Sequence, residues 1–523
     1  TYFPPKSHYG MPGFPDLLDV IVSQWNNNRR KLLQSAEQII THLKSAESGD
    51  KNIDDEELIK RAMQIFSESF DEINGGFSSA PKFPTPHNLL FLMLYAKHKQ
   101  DSDALKMAEK TLLQMRKGGI FDHIGYGFSR YSTDKYFLAP HFEKMLYDNA
   151  LLIIAYSAAY YLTNNEIYLD TAEKTTEYIL REMTSADGGF YSAQDADSEG
   201  VEGKYYTFTL DEIINVLGEE KGKRFAESFD ITSNGNFEGV NILNLLKSND
   251  LESDFSEEIH KLYDYRKKRT NLHLDNKILL SWNSLMIAAL SMFYRVSRNE
   301  KYLNAVVNAQ KFIEENMCDG VQLFTSWRDG KHSEKSFLDD YAFYIASLIG
   351  LYNSTLDKIY LEKAERFCDE AVRQFEDCQR DGFYLCEASY TEIFMNPKET
   401  YDGAIPSGNS VMAYNFVRMF QLTENEKYRK LTEKQFEFLS VQAQDYPAGN
   451  SVFLLSKLLY ENPPEHIVIA VKHKSDFQEI QKELPFLANV SVVLDSVDYP
   501  LKNDKVTYYV CKNHTCSPPT NIL

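Results

Sequence analysis

The stretch Thr163-Asn-Asn-Glu-Ile-Tyr168 decides the fold, because the chain repeats its form. Ser297-Arg-Asn-Glu-Lys-Tyr302, Thr355-Leu-Asp-Lys-Ile-Tyr360 and Thr423-Glu-Asn-Glu-Lys-Tyr428 are built alike. Each follows a strongly apolar segment and precedes an amphipathic one, so each reads as a tight link between two helices. The four tyrosines are 134, 58 and 68 residues apart, the first interval being two units. An internal period of this size, with a helix pair per unit, marks a repeated α-hairpin architecture.

Outward from these links the helices can be counted. Amphipathic helices are expected near 56–70, 104–117, 167–183, 301–316, 358–376 and 425–442, and apolar ones beginning near 87, 144, 282, 339, 408 and 449. Apolar helices inside a ring of amphipathic ones make a mainly α protein, an (α/α)6 barrel, over residues 51–462. Between about 190 and 275 the pattern lapses into Gly- and aromatic-rich sequence, read as an inserted lid. After Pro463-Pro464 the period changes. His466-Ile-Val-Ile-Ala-Val471, Val490-Ser-Val-Val-Leu494 and Val506-Thr-Tyr-Tyr-Val510 read as strands of a small α/β region over 463–523. Residues 1–50 are turn-rich, then helical from about 16.

Composition narrows the function. With 523 residues, 43% of them hydrophobic, the chain can bury a large core. A net charge of −20 without a basic stripe argues against nucleic acid as a partner. No apolar run is long enough to span a membrane. Six cysteines, all from Cys318 onward, do not read as a disulfide framework, so the cytoplasm is the expected compartment. No signal peptide is seen, and because the chain opens at Thr1 rather than Met it reads as a fragment or processed product.

The short links all join inner to outer helices and so share one face. The returns, which include Asn74-Gly-Gly-Phe-Ser-Ser-Ala-Pro-Lys-Phe-Pro84, Gly118 through Tyr131, Asp187 through Asp197, Asp319-Gly through Arg328 and Asp381-Gly-Phe-Tyr384, lie on the other. Long connections of this kind are usually functional, and here they meet six inner-helix N-termini, whose free N–H groups favour acidic or hydroxyl-rich ligands. His87, His141, Glu143, Trp282, Asn283, Asp339, Asp340 and Asn409 open those helices. Such a mouth suits a sugar, with hydroxyls for the polar groups and C–H faces for the aromatics.

At these same segments the chain resembles a known family. Gly75-Gly-Phe-Ser-Ser-Ala-Pro-Lys-Phe-Pro84, Phe128-Ser-Arg-Tyr-Ser132, Pro140-His-Phe-Glu-Lys-Met-Leu-Tyr-Asp-Asn-Ala150, Tyr191-Ser-Ala-Gln-Asp-Ala-Asp-Ser-Glu-Gly200 and Pro406-Ser-Gly-Asn-Ser410 resemble the YyaL / spermatogenesis-associated thioredoxin-domain family. The resemblance implies a thioredoxin-like domain followed by a barrel similar to N-acylglucosamine 2-epimerases and six-hairpin glycosidases. It also makes residues 1–50 the remnant of the thioredoxin-like domain and a linking helix, without its cysteine-bearing turn. It implies no defined reaction.

Residue by residue, His141 is a candidate general base, with Glu143 or Asp148 as its partner or a second acid. Asp122, His123 and Arg130 lie on the glycine-rich loop and are expected to meet ligand; Asp122 and His123 join the catalytic candidates. Asp195 and Asp197 belong to an acidic run whose commonest meaning is a solvated turn; it lacks the frame of a calcium loop. Asp339 and Asp340 are acid/base candidates or ordinary first-turn partners of the helix dipole. Trp282 and Trp327 are stacking walls or core, and His87, Asn283, Arg328 and Asn409 complete the expected binding set. Cys511-Lys-Asn-His-Thr-Cys516 offers three metal-type ligands and no evident fourth, so it reads as a packed or occasionally oxidised pair, and neither metal nor cofactor is expected. The reading is a sugar epimerase/isomerase or a glycoside hydrolase. The alternative is a non-catalytic ligand-binding or redox-partner module.

Overall fold

The computed structural model describes the chain apart from residues 1, 2, 9, 46–54, 249, 250, 252, 334, 474–483, 486, 487, 513 and 514. Residues 1–53 with 392–395 form one unit and the rest another. The first unit carries α1 (Phe14–Ser45), broken at Asn28 (φ −136°), with Leu18, Ile21, Trp25 and Leu33 exposed.

In the second unit six inner helices, α3 (Pro86–Lys99), α5 (Leu146–Thr163), α10 (Leu280–Ser297), α12 (Leu338–Thr355), α14 (Gly408–Thr423) and α16 (Ser451–Glu461), pack each on the next, and α16 packs on α3 to close the ring. The outer helices are α2 (Asp55–Ser69), α4 (Ser102–Lys117), α6 (Glu166–Glu182), α11 (Glu300–Asn316), α13 (Lys358–Phe375) and α15 (Glu426–Gln442). This is the (α/α)6 barrel. Its links have a common chemistry. Asn164, Arg298, Leu356 and Glu424 sit at φ of 53–57° and end the inner helices, and the next residues, Asn165, Asn299, Asp357 and Asn425, cap the outer ones through their side chains. Gln100 and Asp101 do the same between α3 and α4 in a link that lacks the tyrosine signature. The tyrosines of the links then tie outer helices together: Tyr168 donates to Glu109 and Tyr302 to Glu173.

The insertion contains α7 (Leu210–Leu217), α8 (Glu219–Ser228) and α9 (Ser256–Arg269) around an apolar cluster that includes Phe208, Ile213, Phe225, Phe229 and Leu262. Near the C-terminus, strands run in the order Asn489–Leu494, His466–Val471, Thr507–Lys512, Thr515–Cys516; the first two are parallel and the others antiparallel. Residues 474–483 connect the parallel pair and lie outside the described residues, as does His514 of the Cys-His-Cys triplet. Cys511 and Cys516 form a disulfide.

On the opposite face from the links, the returns share a second device. Asp71, Asp122 and Asp377 each accept backbone N–H groups two and three residues on. A lysine whose side chain is 0–3% exposed then binds each carboxylate: Lys82 at 2.6 Å, Lys144 at 2.8 Å and Lys398 at 2.8 Å. Each lysine also donates to a backbone carbonyl of the same turn, of Gly75, Tyr126 or Asp381. A Gly-Phe pair follows, the glycines at φ of 74–77° in space where a Cβ would strike an aromatic ring. Inner-helix asparagines hold phenylalanines of these returns by N–H and C=O together: Asn149 holds Phe128, Asn409 holds Phe383, and Asn283 holds Phe190 in a return without the lysine.

Burial works to raise the Asp377 carboxyl, but the Lys398 and Tyr384 bonds outweigh it and hold it at about 2. Burial likewise opposes, and Arg266 and Lys144 override, for Asp122, which is held far below the usual range. A depressed folded pKa gives stability that is present above the unfolded value and lost as pH falls toward the folded one, so acid unfolding should set in below pH ~4. Asp122→Asn strands Lys144 and Arg266 in the interior, and urea titration should show a loss of about 3–5 kcal/mol. A loss below about 1 kcal/mol, the range of a surface pair, would refute the anchoring role.

Candidate active site at the barrel rim

The first turns of the inner helices touch in ring order. Tyr147 of α5 meets Trp282 of α10 edge-on, ring centres 4.8 Å apart. Ser281 of α10 hydrogen-bonds Asp340 of α12. Asp339 of α12 lies against Gly408 at the start of α14. Asp402 accepts from Ser407, the cap of α14, at 3.0 Å and from Val452 of α16 at 2.8 Å, and its carbonyl meets His87 Nε2 of α3 at 3.2 Å. These contacts define one rim.

Over the α5–α10 sector hangs a proton-active cluster. The two-residue strands Tyr131–Ser132 and Pro140–His141 pair, placing His141 beside the Tyr131 ring at 5.2 Å. His141 Nδ1 is 2.7 Å from Glu202 and Nε2 is 3.3 Å from Glu143, which also pairs with Arg130 at 3.2 Å. Arg130 further bonds Tyr147. Burial pushes the Asp148 carboxyl well above its usual range, against the pull of Arg130, and leaves its Oδ2 without a hydrogen-bond partner among the described residues. Burial and then Asp148 push the Tyr147 hydroxyl up to about 12. One sector along, burial and the charge of Asp340 raise Asp339 to about 7, against the pull of the Gly408 N–H, and its buried Oδ1 has no well-formed hydrogen bond among the described residues. An imidazole held between two carboxylates can exchange a proton, and the raised carboxyls of Asp148, in the first turn of α5, and Asp339, on the next sector, can donate one.

Of the expected residues, His141, Glu143, Arg130, Asp148 and Trp282 come together, with Asp339 on the next sector. The others need correction. Asp122 is bound by Lys144 and by both guanidinium nitrogens of Arg266 at 3.0 Å, which occupies its oxygens. His123 is buried between Phe121 and Phe229 and bonded to Gly118 O; burial and then Arg116 lower its pKa to about 3, which keeps it neutral. His87 is fully buried, which lowers it to about 4. Asn283 and Asn409 spend their amides on Phe190 and Phe383. Asp340 bonds Thr325 and the Phe337 N–H as a helix cap, although burial raises its pKa. Asp195 and Asp197 are exposed, as a solvated turn would be. Trp327 packs on Phe312 of outer helix α11, and exposed Arg328 meets Asp329.

Glu202, which orients His141, was not singled out; only its place in the acidic hairpin Asp197–Glu202 hints at it. Tyr147 was legible by its first-turn position, whereas Asp402 serves two helix starts from an unremarkable loop. Among the described residues, no group of three or more His, Cys, Asp or Glu is placed to hold a metal ion, and no helix is long and apolar enough to cross a membrane.

The fold is that of six-hairpin, epimerase-like barrels. A D-mannose isomerase superposes with a TM-score of 0.52 at 13% identity, covering 78% of this chain and 96% of that one. A cellobiose 2-epimerase from Bacillus thermoamylovorans gives 0.50 at 12% identity, covering 76% and 97%. No family model matches the chain. Spermatogenesis-associated protein 20 of Homo sapiens is 32% identical over 99% of this chain and 75% of that protein; an uncharacterised Caenorhabditis elegans protein is 30% identical over 100% and 80%. The chain belongs to the spermatogenesis-associated protein 20 family.

Asp339 supplies a signed pH test. Its raised folded pKa means that the unfolded state loses its proton first, so the carboxyl costs stability progressively between pH ~4 and about 7. Asp339→Asn, which mimics the protonated acid, should gain in Tm over the parent as pH rises through that window. A difference that does not vary with pH would show that the carboxyl is not held neutral.

Proposed function

We propose that the rim binds a sugar or sugar derivative and moves a proton beside its carbonyl, as an aldose–ketose isomerase or 2-epimerase does. The observation that carries this reading is His141 poised between Glu202 and Glu143. With Glu202 orienting the ring through Nδ1, Nε2 takes the proton from the carbon next to the carbonyl, and Arg130 offsets the charge developing on the enediolate oxygen. The C–H bond breaks, its electron pair forms the enediolate, and the proton returns to the neighbouring carbon or to the other face of the same one. Asp148 and Asp339 are the acids available to protonate oxygen. Tyr147 and Trp282 offer a face to the sugar's C–H groups. The names of the two barrels above support this reading.

A second reading, glycoside hydrolysis, is favoured by the neutral Asp339, which could protonate a leaving oxygen while Glu143 activates water. Four cysteines, Cys318, Cys368, Cys378 and Cys386, are free thiols, which suits a cytoplasmic protein, whereas the Cys511–Cys516 disulfide argues the other way.

Incubation with mannose, fructose, glucose and cellobiose in D2O, followed by NMR, separates the readings. Epimerisation places deuterium at C2 of the aldose and aldose-to-ketose isomerisation places it at C1 of the ketose; His141→Ala should lower either rate at least ~100-fold with little change in Tm. Release of monosaccharide from cellobiose without deuterium incorporation would support hydrolysis. Absence of both, with binding of a thioredoxin-like domain, would support a redox-partner module and overturn catalysis.

A further inference from the structure

The six inner helices do not fill the space they enclose. A cavity of about 290 Å³ runs inside the ring and is lined from every one of them. Ala158, Ala288, Ala346 and Gly350 leave the bore open, and nearly all of the remaining wall is hydrocarbon. His141, Glu143, Asp148 and Asp339 do not line it. A sugar's hydroxyls would lose water there and find few partners, so the bore does not suit the ligand of the rim.

Its charged lining residues gather toward the far end, near the C-termini of alternate helices: Lys97 on α3, Arg295 on α10 and Arg418 on α14. From Leu285 to Arg295 along α10 is a depth of about 15 Å at 1.5 Å per residue. Arg418 is 6% exposed, yet its partners are the neutral amide oxygens of Gln421 at 2.7 Å and Asn489 at 2.6 Å. Burial lowers the pKa of Arg295, and the charges of Arg418 and Arg298 lower it further; it donates to Pro485 O. Lys97 is exposed, so a headgroup held beside it remains partly hydrated. A helix dipole accounts for a surface cation in a last turn. It does not account for a buried arginine above the last turn, facing an apolar bore.

We propose that the lumen is a second ligand site, for an amphiphilic anion whose straight alkyl tail lies along the barrel axis and whose carboxylate meets Lys97 and Arg418. The tail replaces empty hydrocarbon-lined space and the headgroup supplies the charge that Arg418 lacks among the described residues. The site is independent of the chemistry at the rim.

Calorimetric titration of the whole chain with decanoate, decanol and acetate tests it. Decanoate should bind about tenfold or more tighter than decanol, the scale of one charge-assisted contact, and acetate should not bind measurably. The double variant Lys97→Met/Arg418→Gln, in which the glutamine can still reach Asn489, should bring decanoate to the level of decanol. Ala288→Leu, a modest filling of the bore, should weaken both while keeping the circular dichroism and melting of the parent. Ala346→Trp is the stronger block if it folds, and His141→Ala should bind decanoate as the parent does. Failure of decanoate to bind, equal binding of decanoate and decanol to the parent, or binding unchanged by Ala288→Leu would each overturn the proposal.

Discussion

The buried lysine–aspartate pair is what fixes three of the barrel's returns on the face of the inner-helix N-termini. Each return leaves an outer helix, turns over and enters the next inner helix, and beyond pairings two or three residues long its peptide groups have no regular ladder to join. In these three the aspartate collects two N–H groups and the lysine collects the aspartate and a carbonyl, and in the Asp122 and Asp377 returns an inner-helix asparagine takes both backbone groups of the phenylalanine. Taking such charges from water is costly unless every lone pair and proton is used, and here the turn supplies the extra partners. At Asp122 a third member joins: Arg266 of α9 bonds it doubly. Arg266 belongs to the insertion, as does Glu202, the carboxylate nearest His141. The anchor therefore reaches beyond its own turn: it fixes the loop that leads to Arg130 and His141 and ties that loop to the segment that orients the imidazole.

The barrel was legible because its helices obey two simple rules. Inner helices are apolar on all sides, and the links carry a cap residue after a left-handed one. Where length falls short, the reading fails: α7 has 8 residues and α8 has 10, too few for a helical period to stand out among aromatics and glycines. The Gln100-Asp101 link shows the complementary limit, since the geometry is kept while the letters change. The disulfide was undecided for a different reason, because two thiols five residues apart suit several chemistries equally well.

The face that carries the candidate residues was legible, and which of them are tied into the scaffold only partly so. Counting helices places the long loops at the inner N-termini, and His141, Glu143, Asp148, Trp282 and Asp339 are there. The errors share a cause. Asp and Asn are as useful to a turn or a helix start as to a ligand, and residue type alone does not separate these uses. Spacing does. Asp71, Asp122 and Asp377 each stand five residues before a glycine and six before a phenylalanine. A carboxylate that recurs in that frame in three returns belongs to the scaffold, whereas His141 and Asp339 recur nowhere in register.

Six parallel inner helices also impose a polarity on the barrel. Their N-termini favour negative charge at the rim and their C-termini favour positive charge at the other end. At the rim this preference works against burial, and for Asp148 and Asp339 burial prevails and raises both carboxyls above their ordinary range. Glu143 and Glu202 reach water and bind the imidazole and guanidinium instead. Carboxyls raised by burial and carboxylates paired at the surface thus share the rim, separated by burial rather than by residue type. The difference follows from how deep each residue sits below the anchored loops.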